Sequence, residues 1–151
     1  MNVKQVIVIR RKYPDPTEEG KFRKIRTGKL ISQACHASMK IFFDLMTKSY
    51  RTVRTDIDDV DLRIPGEFKI KLTPEMEEWK EGAFKKVCVY VDHEEDLLNI
   101  VKQAEEANLP VALITDSGLT EFNGEQTNTC CAIGPAKAEE IDKITGNLPL
   151  L

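Results

Sequence analysis

An α/β layer fold, its sheet covered by helices on both faces, is predicted from two observations. Four short runs, VKQVIVI (3–9), KVCVYV (86–91), PVALIT (110–115) and TCCAIG (129–134), are rich in apolar and β-branched residues and have the length of buried strands. The stretches between and after them carry helix-start signals or apolar residues at helical spacing, so strands alternate with helices. The 151 residues suit a single domain spanning 1–151, since domains commonly run to about 100–200 residues. A chain of this size buries about 70% of its unfolded surface, so it needs no disulfide staples.

Taken in order, the first strand is followed by a loop, 13–24, that holds two prolines and a glycine and is polar and basic. Thr27 is a candidate N-cap for a long helix running to about Tyr50, with Leu30, Ile31, Ala34, Ala37, Ile41, Phe42, Leu45 and Met46 at helical spacing. The segment 51–72 mixes charge with Pro65 and Gly66 and reads as an irregular excursion with one small hairpin or turn. Thr73, Pro74 and the acids Glu75, Glu77 and Glu78 mark a helix start: an N-cap, a proline whose missing N–H is unneeded there, and charges that suit the helix dipole. That helix ends near Gly82. His93 to Asn108 is predicted helical with Leu97, Leu98, Val101 and Ala104 inward, and Pro135 opens a last helix that ends before Gly146.

Composition narrows the class. With 41% apolar and 31% charged residues, the chain can fill a core, which disfavours a disordered protein. No apolar run approaches the roughly 18 residues that span a bilayer, and residues 1–12 carry no cleavage-site pattern, so a cytosolic home with no membrane partner is expected. Cys35, Cys88, Cys130 and Cys131 form no CxxC or CxxxH arrangement and read as buried thiols, neither disulfides nor metal ligands. The net charge of −3 hides polarity. Residues 10–29 hold eight Lys or Arg against three acids, whereas residues 73–106 hold ten acids against four bases. One part of the chain suits a polyanion and another repels it.

Three stretches can carry chemistry. Lys29, Gln33, His36 and Lys40 share one polar stripe of the long helix, within about 60° of one another. From pattern alone, Lys29, Gln33 and His36 are as readily a solvated face as a site, and Lys40 reads as solvated. Asp116 ends a buried strand and Gly118 permits a tight turn beside Thr120, so Asp116 is either a turn-former or a reactive carboxylate. Thr127 and Thr129 put hydroxyls on one side of the last strand. His93 reads as a surface residue and Trp79 as core. Cys35 and His36 point about 100° apart on a helix, which argues against a Cys–His dyad.

GKLISQACHAS in the long helix, ALITDSGLTEF after the third strand, TNTCCAIGPAKAEEIDKITG near the end and TPEMEEWKEGAFKKV before the second strand together resemble the type 2 peptidyl-tRNA hydrolase family. The likeness runs from Lys4 to about Asn147 and lapses only at 13–24 and 48–72. It implies a four-stranded mixed sheet, an often dimeric protein, and cleavage of the ester joining a peptide to the 3′ ribose of tRNA with no metal and no cofactor. Carried over by motif, the family's functional residues fall on Lys29, Gln33, His36, Asp116, Thr120 and Thr129. The family's basic residue two before the lysine is Thr27 here, so Arg23, Lys24 and Arg26 are the expected tRNA-binding supply, from a loop longer than usual.

The implied chemistry delivers water to an activated ester carbonyl. Asp116 would orient or deprotonate the water, while Lys29 and a hydroxyl of Thr120 or Thr129 would stabilise the oxyanion. Lys29 beside Asp116 would keep the carboxylate ionised. His36 is a weaker base candidate, since it also suits a phosphate contact. Two competing classes are a non-enzymatic RNA-binding or adaptor protein on the same fold, marked by loss of these residues, and a cysteine hydrolase using Cys130 or Cys131, disfavoured because a buried thiol yields little thiolate.

Overall fold

A computed structural model describes residues 1–57, 60–119 and 122–151. Its main sheet has four strands: β1 (Val3–Arg10), β6 (Lys86–Val91), β7 (Val111–Asp116) and β8 (Thr127–Lys137). They lie in the order β6-β1-β8-β7, with β6 parallel and β8 antiparallel to β1, and β7 antiparallel to β8. The sheet is therefore mixed, and β1, β6 and β7 all end at the same rim.

Alternation along the strands fills two cores. Val6 and Val8 of β1 meet Val89, Leu97, Val101, Ile133 and Ile141 under α3 (Glu94–Glu106) and α4 (Ala138–Thr145). Ile7 and Ile9 meet Ala37, Ile41, Ala112 and Ala132 under α1 (Thr27–Leu45). The neighbours Cys130 and Cys131 consequently enter opposite cores. Gln5, buried within β1, accepts from Ser38 Oγ at 2.6 Å, which relieves the penalty for burying its amide.

Several elements differ from the sequence expectation. The loop 13–24 contains a small ladder, β2 (Tyr13–Pro14) with β3 (Phe22–Arg23). Arg26, not Thr27, is the N-cap of α1. That helix ends at Leu45 rather than near Tyr50, because Thr47 enters β4 (Thr47–Arg54) and pairs with Lys69 of β5 (Asp61–Lys69). Strand pairing there overrides the apolar periodicity, and the excursion is a long two-stranded hairpin. α2 (Pro74–Glu81) starts as read, with Thr73 Oγ1 accepting from Met76 N–H. In α3 the N-cap is His93, and Ile100 rather than Leu98 faces the core.

Pro135 opens no helix. It lies inside β8, where Gly134 and Pro135 stand at a register shift opposite Gln5 and α4 begins only at Ala138. Gly134 has φ +94°, and a Cβ there would sit 2.6 Å from Lys4 O, so only glycine admits this approach. Of the four cysteines, Cys130 and Cys131 are buried, Cys88 is half-buried and Cys35 is exposed, which corrects the reading of all four as buried. Trp79 is core and donates its Nε1–H to Lys85 O. No helix among the described residues is long and apolar enough to cross a membrane.

Candidate active site

At the rim where β1, β6 and β7 end, Asp116 closes β7 opposite Thr127 of β8. Its Oδ1 accepts from Gly118 N–H at 2.8 Å, an Asx turn that starts the loop. Gly118 has φ +80°, and a Cβ there would lie 2.1 Å from Glu125 O, so the turn requires glycine. The turn-forming and reactive readings of Asp116 thus describe two different oxygens. Oδ2 is aimed across the rim at α1, where Lys29 Nζ donates at 2.9 Å and Gln33 Nε2 at 3.0 Å.

Helical spacing explains the convergence. Lys29 and Gln33 are four residues apart on α1, one turn along the same face, so both reach one carboxylate. Gln33 is only 2% exposed. Its Oε1 accepts from Thr129 Oγ1 at 2.6 Å, and its backbone carbonyl accepts from Cys130 Sγ at 3.2 Å. A flipped amide would turn Oε1 toward the ionised Asp116, which cannot donate, so that bond would be lost. The result is one chain from Thr129 through Gln33 to Asp116, with Lys29 as counter-ion; the Lys29 and Asp116 side chains are 14% and 13% exposed.

Burial pushes the Asp116 carboxyl up, but the hydrogen bonds from Lys29, Gly118 N–H and Gln33 together with the lysine charge outweigh it, leaving the carboxyl below its ordinary value. Asp116 is ionised at neutral pH. Burial pushes the Tyr13 phenol well above its ordinary value although Arg10 opposes it, so Tyr13 stays neutral and is a donor. Burial drives Cys130 up to about 12, with the Thr129 hydroxyl opposing, and also drives Cys131 up, which removes both as thiolate nucleophiles.

The other candidates separate. His36 is exposed on α1 and is not among the described groups that reach Asp116. Lys40 is tied to Asp44 one turn on, at 2.7 Å. Thr120 lies outside the described residues. Arg23 is half-buried beside a polar pocket of about 230 Å³, whereas Lys24 and Arg26 are exposed at the start of α1.

Sequence reasoning missed the wall of the site. Tyr13, within the segment read as a loop, is 3% exposed; its hydroxyl donates to Thr129 O at 3.4 Å and its ring lies 4.9 Å from that of Phe122. The Phe122 ring in turn lies 5.6 Å from Lys29 Nζ. Arg10, also buried, caps the Tyr13 ring at 4.4 Å and donates to Asn128 O. An aromatic among charges just past a buried strand is the signal that would have found Tyr13. Among the described residues no three His, Cys, Asp or Glu side chains are grouped to hold a metal ion.

A carboxylate at the carboxyl rim of the strands, neutralised by one lysine and oriented by a locked amide, places the protein among α/β enzymes that act on bound substrate at the ends of their strands. Its sequence makes the assignment specific. Residues 3–151 match the family model Peptidyl-tRNA hydrolase PTH2, and the chain belongs to that family of hydrolases. It is 36% identical over 124 residues to a peptidyl-tRNA hydrolase of Methanocaldococcus jannaschii, covering 82% of this chain and 87% of that one. It is 33% identical to the enzyme of the same name from Methanopyrus kandleri, covering 98% and 97%, and 32% identical to that of Methanothermobacter thermautotrophicus, covering 99% and 100%.

Proposed function

We propose that the chain hydrolyses the ester between a peptide, or an N-blocked amino acid, and the 3′ ribose of tRNA in the cytoplasm, returning free tRNA to translation. The observation that carries this reading is the Thr129–Gln33–Asp116–Lys29 network in a chain of this family. Ionised Asp116 hydrogen-bonds the attacking water and accepts its proton as the water oxygen bonds to the ester carbon. A carboxylate held this acidic is a weak base, so proton transfer accompanies attack rather than preceding it, and orientation is the larger part of its role. The Lys29 ammonium, with three donors, holds Asp116 and faces the developing oxyanion. Collapse of the tetrahedral species breaks the bond to the ribose oxygen, which leaves with the proton that Asp116 took from the water, so the carboxylate is regenerated.

Thr129 acts through Gln33, because its one hydroxyl proton is already donated to Oε1. The resemblance alone supports Thr120 as the hydroxyl donor to the oxyanion and His36 as a functional residue, whose exposure on α1 suits a phosphate contact better than the role of base. Arg23, Lys24 and Arg26, at the root of α1, supply charge for the tRNA backbone. Exposed Ile31 and Met39 on α1, with the resemblance, support pairing of two copies, to be checked by sedimentation. The direct test is release of N-acetylated amino acid from tRNA, with and without EDTA. Release unaffected by EDTA is expected. Binding of tRNA without release leaves only the adaptor reading.

A further inference from the structure

The β4–β5 hairpin adds little to the core. Every residue of β4 is exposed, and of β5 only Ile64 is half-buried. Its aromatic residues are nonetheless ordered against cations on one face. The pairs Lys48 with Phe68, Tyr50 with Pro65 and Thr52 with Arg63 set that face, past a register shift between Lys48 and Tyr50. The Arg63 guanidinium lies 3.9 Å from the Tyr50 ring centroid, and Lys48 Nζ lies 4.9 Å from that of Tyr50 and 5.7 Å from that of Phe68. Tyr50 is 42% and Phe68 56% exposed. Among the described residues the hairpin's carboxylates lie elsewhere: Asp56 and Asp61 are toward its far end, and Glu67 pairs with Lys69 at 3.2 Å.

Exposed rings interleaved with cations are what unstacked bases and their phosphates take, because every base offers a π face and every nucleotide a charge. The hairpin is rooted at Leu45, sixteen residues along α1 from Lys29, or about 24 Å at 1.5 Å per residue. The Phe68 ring meets Phe43 edge-on at 6.0 Å, which anchors the arm to that end of the helix. We propose that the Lys48, Tyr50, Arg63 and Phe68 face is a second RNA-binding platform, holding the body of the tRNA while its 3′ end lies at Asp116. This rests on the hydrolase reading for the identity of the RNA, and the platform itself is assigned from the hairpin alone.

The test uses the full chain, deacylated tRNA as binding probe, and two substrates: a full-length N-acetylaminoacyl-tRNA and the same ester on a CCA trinucleotide too short to reach the arm. For Tyr50→Ser, which keeps the Phe68 anchor, tRNA affinity falls about tenfold, in line with the loss of one base stack. For Arg63→Gln the slope of log affinity against log salt falls by about 0.7 to 0.9. In both, the ratio of KM on the full-length substrate to KM on the trinucleotide rises. Thermal midpoints stay within a few degrees, since the replaced side chains are exposed. Unchanged affinity and salt slope overturn the proposal, as does an equal rise of KM on the trinucleotide. A changed sedimentation coefficient with unchanged tRNA affinity also overturns it, by assigning the hairpin to a second copy of the chain. Hairpin variants that lose tRNA affinity in a protein that releases no product sustain the platform and overturn the hydrolase reading; hydrolysis with binding unaffected by them does the reverse.

Discussion

Lys29 and Lys40 lie on the same helix, and each holds an aspartate carboxylate at hydrogen-bond distance, 2.9 Å to Asp116 and 2.7 Å to Asp44. Lys40 and Asp44 are one turn apart with side chains 42% and 47% exposed, so solvent screens the pair. Lys29 and Asp116 are joined across 87 residues of chain, largely enclosed, and bound on the carboxylate side by Gln33 and Gly118 as well. The same two functional groups make a solvent-screened surface pair at one point of α1 and an enclosed, multiply bonded pair, the proposed reactive centre, at another. What differs is not the ion pair but the third and fourth partners, which fix the carboxylate in place and leave it no cheaper arrangement.

The largest break in this comparison is at the carboxylate. Asp116→Asn is expected to lower kcat by about a hundredfold or more, because it removes the proton acceptor and the charge while keeping the shape. Asp44→Asn is expected to leave kcat within twofold. Single-turnover rates on the two variants, with thermal melts as a folding control, check this pair; an Asp116→Asn protein with near-normal turnover takes the residue out of the mechanism.

Lys29→Met comes next. Loss of a donor facing an oxyanion typically costs about a hundredfold to a thousandfold in kcat, and here the orphaned Asp116 carboxyl also shifts upward toward its ordinary value near 4. That sets the sign of the pH dependence. With its folded value depressed, Asp116 contributes stability above its unfolded value, and the contribution is lost as pH falls through the folded value. Wild type is therefore expected to lose stability below about pH 4, whereas Lys29→Met, with only the Gly118 and Gln33 hydrogen bonds left to hold the carboxyl down, loses less over that window. Urea midpoints measured from pH 3 to 7 decide it.

A smaller effect belongs to the buried link. Thr129→Val leaves Gln33 Oε1 without its donor in a buried position and is expected to cost about 1–3 kcal/mol of stability. It lowers kcat through disorder of Asp116, so Thr129→Ser, which restores the hydroxyl, recovers most of both. Denaturant titration and kcat measured together separate this from a purely structural role. The smallest expected effect is Lys40→Ala, about 0.3–0.5 kcal/mol for an exposed i,i+4 pair. A loss several times larger, by the same titration, would show that the two ends of α1 are more alike than their exposure suggests.

Much of the site could be read from local pattern. Lys29 and Gln33 stand at helical spacing, Asp116 follows a β-branched run, and Gly118 marks the turn, all within short windows of chain. The strand positions of Cys130 and Cys131 were likewise legible as buried. The sequence leaves Lys29, Gln33 and His36 together as site or surface, with Lys40 solvated, and the fold divides them: Gln33 lies under the sheet rim while His36 is exposed. Tyr13 stands out locally only as an aromatic among prolines and charges; that its segment folds back over Thr129 is set by the tertiary contact.

The sequence by itself determined the alternation of strands and helices, the α2 cap at Thr73, the glycine at the Asp116 turn and the motifs on which the candidate site residues stand. Each depends on contacts within a few positions, where backbone sterics, side-chain period and hydrogen-bonding type act without help from the rest of the chain. Only the tertiary structure decided that α1 stops at Leu45, that Pro135 sits at a bulge in β8, and that residues 47–69 form a projecting hairpin. It also decided which of two lysines on α1 meets an enclosed carboxylate and which an exposed one. Those outcomes turn on which distant backbone or carboxylate completes a group's hydrogen bonds, and burial makes that completion obligatory at Asp116 but optional at Asp44.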